Sequence, residues 1–298
     1  MRTLIVLSAR QLESKGQLEP ALNRYLLGMR LPGPWPRGLL NWRTPVLQRL
    51  RTWAAAPQQT PDLLRHAEQQ VASANEELFL LGEETLRICD DRWTTFFSTG
   101  HFDPPLQWQP ETAPLLRWIP GERRRARRLI RLMVAIEHAE LEQLRDGRSL
   151  RDAQAAGRNQ VPAFREEDLA FWKASTAVLT ETSLDIPYLS EAYANLLWEE
   201  RLTRLTMMLY AFQLEKGHFP QSLHELVPDY LPSVPVNPRD GSPIHYCRDG
   251  IDGLPEEIRT NPNAAITKNA PRNVPTLYGV PPNNTRIEFI LLKPRRSE

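Results

Sequence analysis

The sequence predicts a mainly α-helical protein in which a helical array leads, through one long helix, into a small α+β module. Two observations predict this fold class. Apolar residues recur at three- and four-residue spacing along much of residues 1–216, which is the pattern of amphipathic helices. After Gly217 the pattern gives way to closely spaced prolines, which exclude long helices and central strands. We therefore divide the chain into a helical region, 1–186, and a second part, 187–298, made of the long helix and the module.

The composition is that of a folded protein with a net charge close to zero. The chain has 298 residues, of which 41% are hydrophobic and 24% charged, and its formal net charge is +1. This excludes disorder on a large scale, and it leaves no whole-molecule charge to attract nucleic acid, so we expect no sequence-specific nucleic-acid partner. No segment has the roughly 20 apolar residues that a membrane span needs. We expect the chain as given to be soluble and to reach a membrane only through an upstream anchor or a partner.

The first helices follow from periodicity and from start and stop signals. Leucines at helical spacing on both sides of Gly16 predict a helical hairpin over residues 1–31. A helix is predicted over residues 45–56. Another begins at Thr60 and Pro61, because threonine suits the N-cap and proline suits the first helical position.

The middle of the chain alternates helices with weaker patterns. Aromatic residues and prolines without periodicity predict an ordered, aromatic-rich loop over residues 93–120. Helices are predicted over 122–144 and 166–179, and the long helix over 187–216, while residues 145–162 are polar and weakly patterned.

The C-terminal module is predicted to hold little regular structure. One short helix is expected at 222–227, and extended runs at 244–247 and 287–292. The Asp249-Gly250 pair is a hairpin-turn signal, and residues 252–276 have the composition of a long excursion loop.

A run of arginines opens the helix predicted at 122–144, where the helix dipole already places positive charge. One interpretation is contact with phosphate or anionic lipid. We favour the other, in which the arginine stems cover apolar surface and their heads pair with nearby acids, among them Glu137 and Glu140. The arginines are Arg123, Arg124, Arg125, Arg127, Arg128 and Arg131.

No residue is predicted to be catalytic, to bind a cofactor or to bind a metal. The chain has no nucleophile elbow, P-loop or dinucleotide-binding glycine motif. The remaining candidates are interpreted as structural: the histidines as satisfied polar groups, the paired acids as a solvated helix end, the aromatic segment as core rather than a stacking platform, and the cysteines as ordinary thiols. These are His138, His218, His224, Glu83-Glu84, Asp90-Asp91, Trp93 to Trp118, Cys89 and Cys247.

The part of the chain from 211 to 290 resembles the C-terminal domain of type II secretion major pseudopilins. In that family a helix ends in Gly-x-aromatic-Pro and continues through Leu-x-x-Leu, Pro-x-[Asp/Asn]-Pro, Gly-x-Pro and Tyr. The matching positions are Gly217-His218-Phe219-Pro220, Leu223, Leu226, Pro235-Val236-Asn237-Pro238, Gly241-Ser242-Pro243 and Tyr246.

The resemblance implies an architecture and an association with envelope assembly rather than a reaction. Two features depart from the family. The chain has no Phe-Thr-Leu-x-x-Glu segment, so we do not expect it to polymerise by the pseudopilin route. The segment 280–285 offers neutral oxygens where the family has an acidic calcium loop, so we predict no tight calcium site.

Three functions are compatible with this sequence. We favour a non-enzymatic interaction or envelope-assembly protein with a pseudopilin-like C-terminal module and an unidentified protein partner. The alternatives are a soluble helical scaffold unrelated to secretion, and a hydrolase whose site is not visible in the sequence. A deep pocket lined by convergent carboxylates or histidines favours the hydrolase, and a long apolar groove on the helices favours the scaffold.

Overall fold

The computed structural model of the chain describes residues 2–30, 43–99, 120–160, 189–260, 274–279 and 288–292. These residues form a mainly helical protein with one small antiparallel sheet, as predicted. The helices are α1 (Arg2–Ser14), α2 (Leu18–Arg30), α3 (Arg43–Ala54), α4 (Pro61–Thr99), α5 (Pro120–Arg145), α6 (Leu150–Gln160), α7 (Leu189–Lys216) and α8 (Glu256–Arg259). The strands are β1 (His245–Cys247), β2 (Thr276–Gly279) and β3 (Glu288–Leu291), in the order β1-β2-β3.

The chain forms two compact units. Unit 1 combines Met1–Glu77 with Asn195–Glu298, and unit 2 is Leu78–Ala194. The helices α4 and α7 are long enough that each contributes residues to both units. This grouping differs from the division into 1–186 and 187–298. That division stays a prediction about domains, because the grouping of contacts does not show which segments fold independently.

The signals that predicted the first helices are present as local geometry. Gly16 adopts φ +73° between α1 and α2, a left-handed conformation that costs glycine little. At the start of α4, the Leu63 amide donates a hydrogen bond of 3.2 Å to the Thr60 hydroxyl, and Pro61 is the first helical residue. The hairpin, α3 and the capped start of α4 are therefore confirmed.

The second half of α7 is the central helix of unit 1. Every residue from 205 to 212 is buried, so the helix is covered on all sides rather than on one face. Its Thr203 hydroxyl donates to the Leu47 carbonyl of α3 at 3.3 Å. The Trp53 indole, also buried, donates to the Leu18 carbonyl at 3.1 Å. These two buried side chains therefore connect α7 to α3 and α3 to α2 by hydrogen bonds.

The chain after α7 turns back on the helix. Gly217 ends α7 with φ +78°, and Phe219 then packs edge-on against Tyr210 with ring centroids 5.7 Å apart. A 3-10 helix, Leu223–Leu226, buries both of its leucines. The predicted short helix is therefore present as a 3-10 turn.

The sheet corrects three predictions for the module. The strand β1 pairs antiparallel with β2, and β2 pairs with β3, so β2 lies in the centre. The Asp249-Gly250 pair does not form a tight hairpin turn, because a 3-10 helix at Gly250–Gly253 and then α8 follow β1. The end of the predicted excursion loop, Thr276, already belongs to β2, and the module contains more helical turns than the one predicted.

One prediction for the middle of the chain is wrong, and one helix there was not predicted. The helix α4 continues to Thr99, through the beginning of the predicted aromatic loop. Residues 145–162 contain α6, which is capped by Ser149: its hydroxyl accepts from the Asp152 amide at 3.2 Å and donates to the Asp152 carboxylate at 2.7 Å. Helices α5 and α7 are confirmed. Residues 100–119 and the helix predicted at 166–179 lie outside the described residues.

Candidate functional site

A groove in unit 1 runs between α7 and the proline-rich segment 231–236. Its volume is about 340 Å³. The floor on α7 is formed by Arg201, Arg204 and Leu205, and residues 231–236 form the facing wall. Because the wall consists mainly of leucine, valine and proline, the groove is mainly apolar, with Arg201, Arg204 and Ser233 as its polar residues.

The wall of the groove is fastened to the helix and shaped by a tight turn. The Arg201 guanidinium donates to the Val236 carbonyl at 2.6 Å. Beyond Val236, the Asn237 amide donates to the Ser242 carbonyl at 2.8 Å, and Gly241 completes the turn with φ +75°. The Arg239 guanidinium donates to Asn195 of α7 at 2.6 Å. The groove is therefore preformed.

The second arginine of the groove is held by two acids. Arg204 contacts the Glu68 carboxylate of α4 at 2.6 Å through Nη2 and the Glu200 carboxylate at 3.2 Å through Nη1. Burial by itself lowers the pKa of Arg204, but the carboxylates outweigh it and the pKa is raised. Burial also raises the pKa of Glu200, and Arg204 offsets this in part. Arg204 therefore stays charged and fixes the floor of the groove, which suits binding rather than proton transfer.

A second cavity, of about 500 Å³, is lined by Phe219, Arg248, Asp249 and Pro275. Next to these residues in sequence, the Cys247 thiol is free. A Cβ on Gly253 would lie 2.8 Å from its sulfur, so the thiol is packed against the backbone. Burial raises the pKa of Cys247, whereas a nucleophilic cysteine needs a lowered one. The arrangement is that of a structural thiol.

Unit 2 brings together two buried carboxyl groups that the sequence analysis assigned to arginine pairing. The amide of Ser190, at the start of α7, donates to the Glu137 carboxyl at 2.8 Å, and its hydroxyl donates to Glu140 at 2.7 Å. Burial, the largest cause, together with the charge of Glu140, raises the pKa of Glu137 to about 8. The two carboxyl groups accept hydrogen bonds from the first turn of α7, so the cluster has the geometry of a buried helix cap. Neither of the two cavities described above is lined by these residues.

His138 has a carboxylate partner that the sequence could have revealed. Its ring lies 3.8 Å from the carboxylate of Glu142, four residues further along α5, and 3.5 Å from that of Glu83 on α4. The i, i+4 spacing of His138 and Glu142 is the sequence signal for this contact. Within the described ranges no group of three or more His, Cys, Asp or Glu side chains is placed to hold a metal ion.

The other candidates are only partly described. Of the arginine run, Arg128 and Arg131 are exposed on α5, and the side chains of the preceding arginines lie outside the described residues. Glu84 and Asp91 both contact Arg87, at 2.5 and 3.1 Å, on an exposed face of α4. The side chains of Cys89 and Asp90, the segment 280–285 and most of the aromatic segment also lie outside the described part.

No protein-family model, no curated protein and no solved structure matches this chain. Among the described helices, none combines the length and the apolar character required to cross a membrane.

Proposed function

We propose that this protein is a non-enzymatic interaction or envelope-assembly protein that recognises a protein partner through the groove of its pseudopilin-like C-terminal module. The observation that carries the interaction role is the preformed groove, and because one wall of the groove belongs to the C-terminal module, it favours binding through the module over a scaffold made of helices alone. Its apolar wall is fixed by Arg201, its floor by Arg204, and both arginines belong to the central helix of unit 1. A rigid apolar surface with fixed polar groups binds a partner segment at low entropic cost.

The residues of the resemblance support the same proposal, because two of them, Pro235 and Val236, line the groove, and two others are in contact with each other. The Tyr246 hydroxyl of β1 donates to the Pro220 carbonyl at 3.1 Å, and burial raises its pKa. At the end of β2, a Cβ on Gly279 would lie 2.5 Å from the Trp198 ring of α7, so the sheet contacts the helix closely. Both the wall of the groove and the sheet therefore contact α7, so a partner in the groove would bind a surface that α7 supports.

The test is site-specific photo-cross-linking in the native cells, with a chromosomally tagged copy. A photoreactive residue replaces Val236, which is 38% exposed at the groove. A matched control replaces Leu80, which is 60% exposed in unit 2. Membrane and soluble fractions are analysed separately. We expect position 236, and not position 80, to cross-link to secretion or pilus-assembly proteins in the membrane fraction.

A blocking variant makes the test specific. Val234→Asp places a charge on the apolar wall and should abolish the cross-link from position 236, whereas Leu80→Asp should leave it unchanged. If cross-links from position 236 are confined to soluble proteins without a secretion role, the envelope proposal fails and the helical scaffold takes its place. If positions 236 and 80 give the same cross-links, the groove is not the binding site.

A further inference from the structure

Three of the exposed large apolar residues that the structure describes in unit 1 lie on the α1–α2 hairpin. Leu4 is 67% exposed, Leu7 50% and Leu27 41%. Leu4 and Leu7 are three residues apart and so lie on one face of α1. A Cβ on Gly28 would lie 3.6 Å from Ile5, so the end of α2 runs beside the start of α1. The three leucines, which we call the hairpin patch, therefore lie at the same end of the hairpin.

The charged residues beside the hairpin patch on α1 and α2 are mainly basic, although Arg30 contacts the exposed Glu77 carboxylate of α4 at 3.5 Å. Arg10 follows Leu7 by three residues, and Arg24 and Arg30 lie three residues before and after Leu27, so each is on the same helix face as a leucine of the patch. All three arginines are exposed. The acid of α1, Glu13, is half-buried and accepts a hydrogen bond of 3.0 Å from the Tyr25 hydroxyl. The patch is thus apolar with a basic border, which suits an anionic partner.

The size of the patch decides which class of partner fits. Three partly exposed leucines present on the order of 300 Å² of apolar surface. A specific protein–protein interface needs about 800 Å² on each partner, so the patch is too small for a stable dimer or a large protein contact. A bilayer surface makes no such demand, because a few apolar side chains enter the headgroup region while basic residues contact lipid phosphates.

We propose that the hairpin patch binds directly to the surface of an anionic lipid bilayer, with Leu4, Leu7 and Leu27 inserted shallowly and Arg10 and Arg24 at the phosphates. This goes beyond the proposed function, since it depends neither on the groove nor on a protein partner. It also departs from the expectation that membrane contact requires an anchor or a partner. The contact is weak and reversible, because it combines only a small buried apolar area with the attraction of a few arginines to anionic lipids.

The test is co-sedimentation of the full chain with vesicles of phosphatidylcholine alone or with about one-third phosphatidylserine. We expect binding to the phosphatidylserine vesicles only, reduced at least fivefold by high salt because screening weakens the arginine contacts. The double variant Leu4→Gln/Leu7→Gln should bind at least fivefold more weakly. The control Leu80→Gln, an exposed leucine of unit 2, should bind within twofold of the wild type.

Far-ultraviolet circular dichroism checks that the variants remain folded. If Leu4→Gln/Leu7→Gln unfolds, Arg10→Gln/Arg24→Gln provides a second test, because these exposed residues are expected to weaken binding to phosphatidylserine vesicles by a similar factor. Absence of wild-type binding to these vesicles overturns the proposal and leaves an acidic protein as the partner class. An equal loss of binding in Leu80→Gln and in the double variant also overturns it.

Discussion

Two buried glutamates, one in each unit, are stabilised in different ways. Glu200 of α7, in unit 1, lies 3.2 Å from the Arg204 guanidinium, which also holds Glu68. Glu137 of α5, in unit 2, accepts a hydrogen bond of 2.8 Å from the Ser190 amide and lies near the second acid, Glu140. Both acids are buried: the Glu200 side chain is 5% exposed, and Glu137 as a whole residue is 4% exposed. The difference between the sites is the opposite charge that faces Glu200.

The comparison teaches that the neighbour of a buried acid decides whether the cost of burying its charge is offset or increased. Burial raises the pKa of both glutamates, because a low-dielectric interior disfavours the carboxylate. At Glu200 the positive charge of Arg204 offsets part of this cost. At Glu137 the charge of Glu140 adds to it, and the pKa of about 8 means that Glu137 is mostly protonated at neutral pH. In unit 1 a cation therefore offsets part of the cost of burying Glu200, whereas in unit 2 a second acid adds to the cost of burying Glu137.

The largest expected effect comes from removing the cation of unit 1. Arg204→Met keeps much of the side-chain volume but leaves Glu200 and Glu68 buried without their counter-charge. Breaking a buried pair in this way lowers the free energy of unfolding by about 3–5 kcal/mol. Urea denaturation measures the loss, and hydrogen exchange should place it in residues 64–71 and 200–209.

Arg87→Met is the matched control for Arg204→Met. Arg87 also contacts two acids, Glu84 and Asp91, but its side chain is 62% exposed, so we expect no resolvable change in the free energy of unfolding. Equal effects of the two substitutions would mean that burial does not distinguish these arginines, and the comparison would lose its basis.

The second prediction concerns pH and unit 2. The pKa of Glu137 is raised from 4.5 to about 8, so the folded state holds a proton that the unfolded state releases. This contribution to the free energy of unfolding is fully present below pH 4.5 and is lost as the pH rises to about 8. Glu137→Gln has no such proton. From pH 6 to pH 8, the wild type should therefore lose about 2 kcal/mol relative to the variant.

Hydrogen exchange of α5 and the start of α7 across this pH range measures that loss locally. Asp146→Asn serves as the control, because Asp146 is an exposed acid of unit 2 that directly follows α5. It should keep the wild-type pH response. A pH response that Glu137→Gln leaves unchanged would falsify the assignment of the buried proton to Glu137.

The sequence predicted those parts of the fold that local chemistry determines. Gly16 and Gly217 mark helix ends by a conformation that glycine adopts readily, and Thr60 marks a helix start by its capping hydroxyl. The start of α6 had a comparable signal, Ser149 followed by Asp152, but the helix has few apolar residues and was overlooked. Local capping and turn residues are therefore sufficient to locate these helix ends.

The rest depends on residues distant in sequence. The strand β2 is defined by pairing with β1 and β3 across long connections, and its four residues alone have no strand pattern. The Arg204–Glu68 contact joins residues 136 positions apart, and the Ser190–Glu137 contact joins residues 53 apart. Such separations cannot be read from spacing. The groove could not be predicted for the same reason, because α7 and residues 231–236 come together only in the folded chain.

The smallest expected effect tests how the proton of unit 2 is held. Ser190→Ala keeps the amide that donates to Glu137 but removes the hydroxyl that donates to Glu140 at 2.7 Å. Losing one buried hydrogen bond costs about 1 kcal/mol in the free energy of unfolding. Ser73→Ala is the control, because Ser73 is exposed and its hydroxyl contacts only its own helix in the described structure.

Ser190→Ala should also move the pH response. The Ser190 side chain lowers the pKa of Glu137 against the larger effect of burial, so its removal raises that pKa further. The pH at which unit 2 stops losing stability should then lie above the wild-type value of about 8. An unchanged value, with the same loss of about 1 kcal/mol, would mean that the backbone amide alone sets the protonation of Glu137. The hydroxyl would then contribute only to packing, and unit 2 would depend on its proton without control by the serine.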